Sequence, residues 1–336
     1  MTHRLCIAPM MDRSDRHFRF LTRLLAPHAR LYTEMITSRA LLRGDAQRLL
    51  RFDPAEHAVA LQLGGSDPAE LAAAARLGES AGYDEINLNV GCPSDRVQAA
   101  CFGAALMLDA RRVADCVAAM RAAVAVPVTV KTRLGVDDHD SYEFVHGFIA
   151  TVAAAGCDTF IVHARKAWLH GLSPKENREV PPLDYPRVRR LKAEFAALRI
   201  VLNGGLTDLA TCMHELPYVD GVMIGRAAYQ DPRLVATLDS ALFDGREPAT
   251  LERLLEQFLP YVERELAAGT PLRSMTRHLL GLRTGQAGGR RWRRELSELA
   301  DGGAGLTRLH EIAAQMDRAP HADATVDVSA GAYAFS

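Results

Sequence analysis

The chain has 336 residues, 48% of them hydrophobic, enough to bury one large core and a smaller one. Its formal net charge of −1 excludes recognition of a polyanion by overall charge, so any such signal has to be local. The six cysteines (Cys6, Cys92, Cys101, Cys116, Cys157, Cys212) form no C-x-x-C pair and no metal-like spacing with histidine, which argues against a zinc site or a disulfide framework and for a reducing, cytoplasmic setting.

Met1-Thr-His-Arg leads into an apolar strand without a signal-peptide core, and no apolar run is long enough to span a bilayer. Leu5-Cys-Ile-Ala-Pro9-Met10-Met11 predicts a short strand stopped at Pro9, and Ser14-Asp15 opens an amphipathic helix from His17 to Leu25. Leu31 to Ile36 reads as a second strand followed by a helix, and Ala58 to Gly65 as a third, carrying Gln62 and ending in two glycines. Asp67-Pro68 caps an alanine-rich helix to about Ala81. Glu85-Ile-Asn-Leu-Asn-Val alternates with period two until Gly91-Cys92-Pro93 stops it, so Cys92 is displayed on a short loop at a strand end. Two readings of that cysteine are open: a small buried apolar side chain, or a reactive thiol.

A helix from Asp109 to Val124, a strand from Val128 to Arg133, a helix from Ser141 to Ala155 and a strand from Thr159 to Arg165 follow. After a loop from Trp168 to Tyr185 come a helix from Pro186 to Phe195, the strand Arg199 to Gly205, a helix capped by Thr207-Asp208, and the strand Gly221 to Ile224 running into Gly225-Arg226. Pro232 opens a helix to about Phe243. Eight strands alternating with helices over about 240 residues have the size and rhythm of a TIM (β/α)8 barrel. The competing open doubly wound sheet would carry G-x-G-x-x-G after its first strand, and Ala8-Pro-Met-Met-Asp12 has none. The predicted fold is therefore α/β: a barrel over residues 1–244, an all-helical C-terminal domain over 245–318, and a loosely held tail over 319–336.

Within the helical part, patterns run from Leu251 to Ala268, Met275 to Leu282, Arg290 to Leu299 and Leu306 to Gln315. The stretch from Arg273 to Arg294 carries arginines at 273, 277, 283, 290, 291, 293 and 294 and no acid. It is either a solvated helical face or a phosphate-binding surface.

Pro9-Met10, Gln62, Asn89, Cys92, Lys131, His163, Asn203-Gly204-Gly205 and Gly225-Arg226 all fall at strand C-terminal ends, where one barrel mouth would collect them. These residue types suit a bound flavin mononucleotide (FMN): an amide for the polar edge of the ring, a lysine for charge on the reduced ring, and glycine N–H groups with Arg226 for the phosphate. Lys131 also reads as a lysine snorkelling to water, and His163 as a satisfied strand-end histidine.

Asn87-Leu-Asn-Val-Gly-Cys-Pro-Ser94, Val130-Lys-Thr-Arg133, Ile161-Val-His-Ala-Arg165, Leu202-Asn-Gly-Gly205 and Met223-Ile-Gly-Arg226 together resemble the tRNA-dihydrouridine synthases, over nearly the whole chain to about residue 315. His163 to Trp168, Leu172 to Glu179, Arg277 to Leu282 and Arg290 to Arg294 resemble the bacterial A-type members, which act on the D-loop uridines 20 and 20a. The resemblance implies that NADPH reduces FMN, and that a flipped-out uracil then takes hydride at C6 while Cys92 gives a proton to C5 from the opposite face. A thiol ordinarily keeps its proton at neutral pH, so cysteine is a workable acid. Carried over by motif, Pro9, Met10, Met11, Gln62, Lys131, His163, Asn203, Gly204, Gly205, Gly225 and Arg226 would touch FMN. Asn89, Lys175 and Arg178, with Arg277, Arg290, Arg291, Arg293 and Arg294, would touch the tRNA. No membrane or metal is implied, and a monomer is expected. The alternatives are a flavin barrel reducing a free pyrimidine and a non-catalytic RNA-binding barrel. A metal-dependent hydrolase would need an H-x-H or carboxylate cluster that the strand ends lack.

Overall fold

The computed structural model describes residues 3–94 and 102–316; the Asp95-Arg96-Val97 end of the cysteine motif, Cys101 and the tail 319–336 lie outside the described residues. The strands are β1 (Leu5–Ile7), β2 (Arg30–Tyr32), β3 (Ile36–Thr37), β4 (Val59–Gly64), β5 (Glu85–Val90), β6 (Val128–Arg133), β7 (Thr159–His163), β8 (Arg199–Asn203) and β9 (Gly221–Ile224). All pairings are parallel; β1 pairs with both β2 and β9, and a β2–β4 pairing closes the ring, so eight strands form a TIM (β/α)8 barrel. Helices follow the strands, and most begin at a side-chain cap: Asp15, Asp67, Asp109, Ser141, Asp184 and Asp208 each accept a backbone N–H of the first turn.

The expected second strand is divided. After Tyr32 the hydroxyl of Thr33, rather than a backbone carbonyl, accepts the Gln62 N–H at 3.0 Å, and the ladder lapses. The chain resumes as β3, a two-residue strand paired with Leu63 and Gly64 on the same edge of β4.

The lumen of the barrel is packed by Cys6, Ala8, Tyr32, Ala60, Ile161, Val201 and Met223, while the main core lies between strands and helices. Glu85, Asn87 and Asn89 on β5, like Thr129, Lys131 and Arg133 on β6, stand two residues apart and so share a face. The register sets Asn89 opposite Lys131 and, two residues on, Arg133 opposite His163 and His163 opposite Asn203, which brings polar side chains from four strands to the rim.

The C-terminal region is helical: Leu251–Ala267, Leu272–Thr276, Gly289–Ser297 and Gly303–Met316. The helix expected from Met275 to Leu282 instead starts after Pro271 and tightens into a 3-10 turn at Arg277–Leu279, where both Arg277 and His278 reach the carboxylate of Asp15. The first helix of the chain, Arg16–Leu25, serves two cores: Phe18 packs into the barrel, and Phe20, Leu21 and Leu25 pack with Phe258, Met275 and Trp292. Ion pairs of Arg16 and Arg51 with Glu265 and of Arg264 with Asp53 hold the same seam.

Candidate active site

A cavity of about 750 Å³ opens at the C-terminal ends of the strands and extends to Leu280, Gly281, Thr284 and Arg293 of the helical region. That is the size range of cofactor and substrate sites. Pro9, Met10, Met11, Gln62, Asn89, Cys92, Lys131, His163, Arg178, Asn203, Gly204, Gly205, Gly225 and Arg226 all line it. Arg13, Lys131, Arg133, Arg178, Arg226 and Arg293 line it too, and among the described residues no aspartate or glutamate does. Six cations and, among the described residues, no acid suit an anion.

Lys131 stands at the centre of that field. Burial, and then the charges of Arg133 and Arg178, press its pKa down to about 7. Its ammonium donates to Asn203 Oδ1 at 2.9 Å, and the Asn203 amide is itself fixed by donating to the Met223 carbonyl at 2.8 Å. Burial, followed by the Arg133 and Lys131 charges, holds His163 well below the ordinary histidine range, so it faces the cavity as a neutral imidazole. Arg133 braces the rim: it donates to the carbonyls of Gly91 at 2.9 Å and of Lys166 and Asn177, each at 3.0 Å.

Cys92 follows β5 on a loop held from below. The Asn89 side-chain oxygen accepts the N–H groups of Gly91 at 3.1 Å and of Cys92 at 3.0 Å. Its Nδ2 donates to Gln62 Oε1 at 2.9 Å. Asn89 therefore has both lone pairs committed to the loop and only an N–H left for a ligand. The five cysteines among the described residues, Cys92 included, are free thiols.

The glycines form the opposite wall. Gly204, at φ +101°, lies so close to His163 that a Cβ there would collide with the imidazole, and Gly205, at φ +69°, is crowded in the same way by Leu183. Gly225 differs. A Cβ there would meet nothing nearer than Ala8 Cβ at 3.8 Å, so the protein's own packing does not demand a glycine, whereas close approach of a ligand to the backbone would. Arg226, next in sequence, is ion-paired with Glu179 at the cavity edge. The open cradle and a described lining with cations but no acid fit a phosphorylated cofactor.

The residues expected to meet nucleic acid separate into groups. Arg290, Arg291, Arg293 and Arg294 are exposed on the helix Gly289–Ser297, whose other face buries Trp292 and Leu296. Arg293 reaches the cavity, and Arg291 pairs with Glu295 at 2.8 Å. Arg277 is instead engaged with Asp15 across the seam. Lys175 is exposed outside the cavity, while Arg178 lines it.

Sequence reasoning missed three contributors. Arg133 was legible in principle, because it lies two residues beyond Lys131 and so shares its face. Asn177, fully buried, ties the loop after β7 by donating to the Trp168 and Leu172 carbonyls, and no local pattern marks it. Arg13 stacks over Tyr229 at 4.5 Å on the cavity wall, a pairing of distant positions.

Among the described residues no helix is long and apolar enough to cross a membrane, and no group of three or more His, Cys, Asp or Glu side chains could hold a metal ion.

A closed parallel barrel with a thiol, a half-buried lysine and a glycine wall around one cation-lined cavity fits a barrel oxidoreductase. Comparison with known proteins agrees. The family model described as dihydrouridine synthase (Dus) matches residues 6–317. Three relatives bear the name tRNA-dihydrouridine(20/20a) synthase. That of Vibrio cholerae serotype O1 is 54% identical over 321 residues, covering 94% of this chain and 98% of its own. That of Xanthomonas campestris pv. campestris is 56% identical over 315 residues, 94% of each. That of Escherichia coli strain K12 is 54% identical over 299 residues, 88% of this chain and 86% of its own. The chain belongs to the dihydrouridine synthase family, flavin-dependent oxidoreductases that act on uridines of tRNA.

Proposed function

We propose that this chain reduces the C5–C6 double bond of D-loop uridines 20 and 20a of tRNA, in the cytoplasm and as a monomer, with bound FMN and with NADPH as reductant. The observation that carries this reading is the presence of Cys92 beside Lys131 in a cavity lined, among the described residues, by six cations and no acid. Its position 20/20a specificity is that named for relatives sharing more than half of their residues with it over most of their length.

When bound, FMN supplies the hydride that the uracil accepts at C6. Gly204, Gly205, Gly225 and Arg226 would hold its phosphate. Gln62, Lys131, His163 and Asn203 would meet its ring and ribityl groups, with Pro9, Met10 and Met11 closing one side. Lys131 would regain its proton beside an anionic ring, because an adjacent negative charge raises a lysine pKa. Cys92 delivers the proton to C5, and the Asn89 oxygen, by fixing two N–H groups of the loop, keeps the sulfur where the base arrives. Residues 1–244 act as the catalytic unit, and 245–318 present Arg290, Arg291, Arg293 and Arg294 to the tRNA backbone, Arg178 and Lys175 lying on its path to the rim. Arg277 contributes through the seam with Asp15. Phosphate contacts of this kind position an RNA without reading its sequence. A free pyrimidine as substrate would leave Arg293 at the cavity mouth without a task.

The test is to incubate the purified yellow protein with NADPH and with tRNA from a strain lacking its own synthases, and to map dihydrouridine by position. Product at 20 and 20a is expected. Equal activity on free uridine, or product elsewhere in the tRNA, would overturn the assignment. Cys92→Ala is expected to keep the flavin and its reduction by NADPH while losing at least ~10²-fold in uracil reduction; normal turnover would remove Cys92 as the acid.

A further inference from the structure

A row of side-chain hydrogen bonds runs up the lumen from the barrel floor to the Cys92 loop. Glu85, the first residue of β5, is fully buried, and its carboxylate meets four donors. Thr129 Oγ1 at 2.6 Å and the Tyr32 hydroxyl at 2.9 Å donate to Oε1; His3 Nε2 at 2.7 Å and Arg30 at 3.1 Å face Oε2. An ionised carboxylate accepts only. Thr129 therefore gives its one proton to Glu85 and accepts from Asn87 Nδ2 at 2.8 Å. The Asn87 amide, turned by that bond, accepts from Gln62 Nε2 at 2.8 Å, and Gln62 Oε1 accepts from Asn89 Nδ2 at 2.9 Å. Only then does the Asn89 oxygen face the N–H groups of Gly91 and Cys92.

Every donor in the row points toward the floor. Were the row to reverse, Asn89 would present an NH2 to two backbone N–H groups, donor against donor, and the loop would be released. Glu85, Asn87 and Thr129 line no part of the cavity and have no exposed surface. A lumen that needed only to be filled would do as well with apolar side chains, as the rest of it does.

We propose that Thr129 and Asn87 are positioning residues for the Cys92 step: Glu85 sets the direction of the row, and the row sets the Asn89 oxygen that holds the thiol at the substrate. The proposal rests on the reading of Cys92 as the proton donor.

The test compares Thr129→Val, which keeps the shape and removes the hydroxyl, with Thr129→Ser, which keeps the hydroxyl, in the flavin-loaded enzyme. Thr129→Val is expected to be reduced by NADPH at the wild-type rate and to lose about 10- to 100-fold in kcat for uracil reduction, with KM for tRNA within about twofold, as for a group misplaced by an ångström or less. A second readout needs no turnover: the rate of Cys92 alkylation by iodoacetamide, followed by peptide mapping, is expected to shift by at least ~5-fold as the loop loosens. Thr129→Ser restores both. Tyr32→Phe, which removes a donor from the same carboxylate without cutting the row, leaves both at wild-type values. Should Thr129→Val not fold, Thr129→Ala takes its place with the same expectations. Wild-type kcat and alkylation in the valine or alanine variant, no rescue by serine, or an equal loss in Tyr32→Phe would overturn the proposal. Normal turnover by Cys92→Ala would instead remove the proton donor, and the alkylation rates would still decide whether the row holds the loop.

Discussion

The floor and the rim of this barrel treat charge in opposite ways. At the floor, burial alone would raise the pKa of Glu85, but the His3 hydrogen bond and the charges of His3 and Arg30 hold it below the ordinary glutamate range. At the rim, burial and two neighbouring arginines depress the Lys131 pKa to about 7, and among the described lining residues no carboxylate relieves it. The floor pairs its carboxylate with cations of its own, His3 and Arg30. The described rim offers its lysine no such partner, and the unliganded fold carries the cost.

Substitutions should therefore have opposite signs at the two ends. Glu85→Gln strands Arg30 as a buried charge and is expected to destabilise the fold by about 3 to 5 kcal/mol in denaturant titration. An unchanged midpoint would show that the Glu85 carboxylate is not what holds the floor together. Lys131→Met is expected to stabilise the unliganded protein while slowing uracil reduction about 10²-fold, roughly 2.7 kcal/mol at the transition state. The pH dependence of that stability gain has a defined sign. The lysine is protonated in both folded and unfolded chains below pH 7, binds a proton only when unfolded between about 7 and its ordinary value of 10.5, and is neutral in both above it. The gain is thus largest below pH 7 and fades as pH rises through that window; a gain that grew with pH would contradict the depressed pKa.

Gly204→Ala, which sets a methyl against His163 at a positive φ, is expected to cost about 1 to 3 kcal/mol and to weaken flavin binding in a fluorescence titration. The smallest effect belongs to the helical face. With Arg290, Arg293, Arg294 and one further cation on phosphates, tRNA affinity should fall with salt at a log–log slope of about −3, and Arg293→Ala should flatten it by about 1. A slope unchanged by Arg293→Ala would take that arginine off the path between the helices and the cavity.

The barrel was legible because eight short, mostly apolar segments alternate with capped helices, and most of the site because polar residues interrupt those strands at one end only. What escaped depended on partners far along the chain. Arg277 and Asp15 stand 262 positions apart, so nothing local could show that Arg277 would turn to a seam or that its helix would tighten there. The break after Tyr32 likewise depends on Thr33 meeting Gln62 across a gap of 29 residues. The floor network was half visible: Glu85, Asn87 and Asn89 sit on one face by their spacing, but their partners come from three other strands and the N-terminal segment.

The double duty of the helix Arg16–Leu25 bears on how the protein is made. It is among the first segments to leave the ribosome, yet Phe20, Leu21 and Leu25 acquire their apolar neighbours only when residues 251–297 have been synthesised. Until then the nascent barrel displays a sticky flank, and a fragment ending before Leu251 is expected to aggregate rather than accumulate as a free-standing barrel.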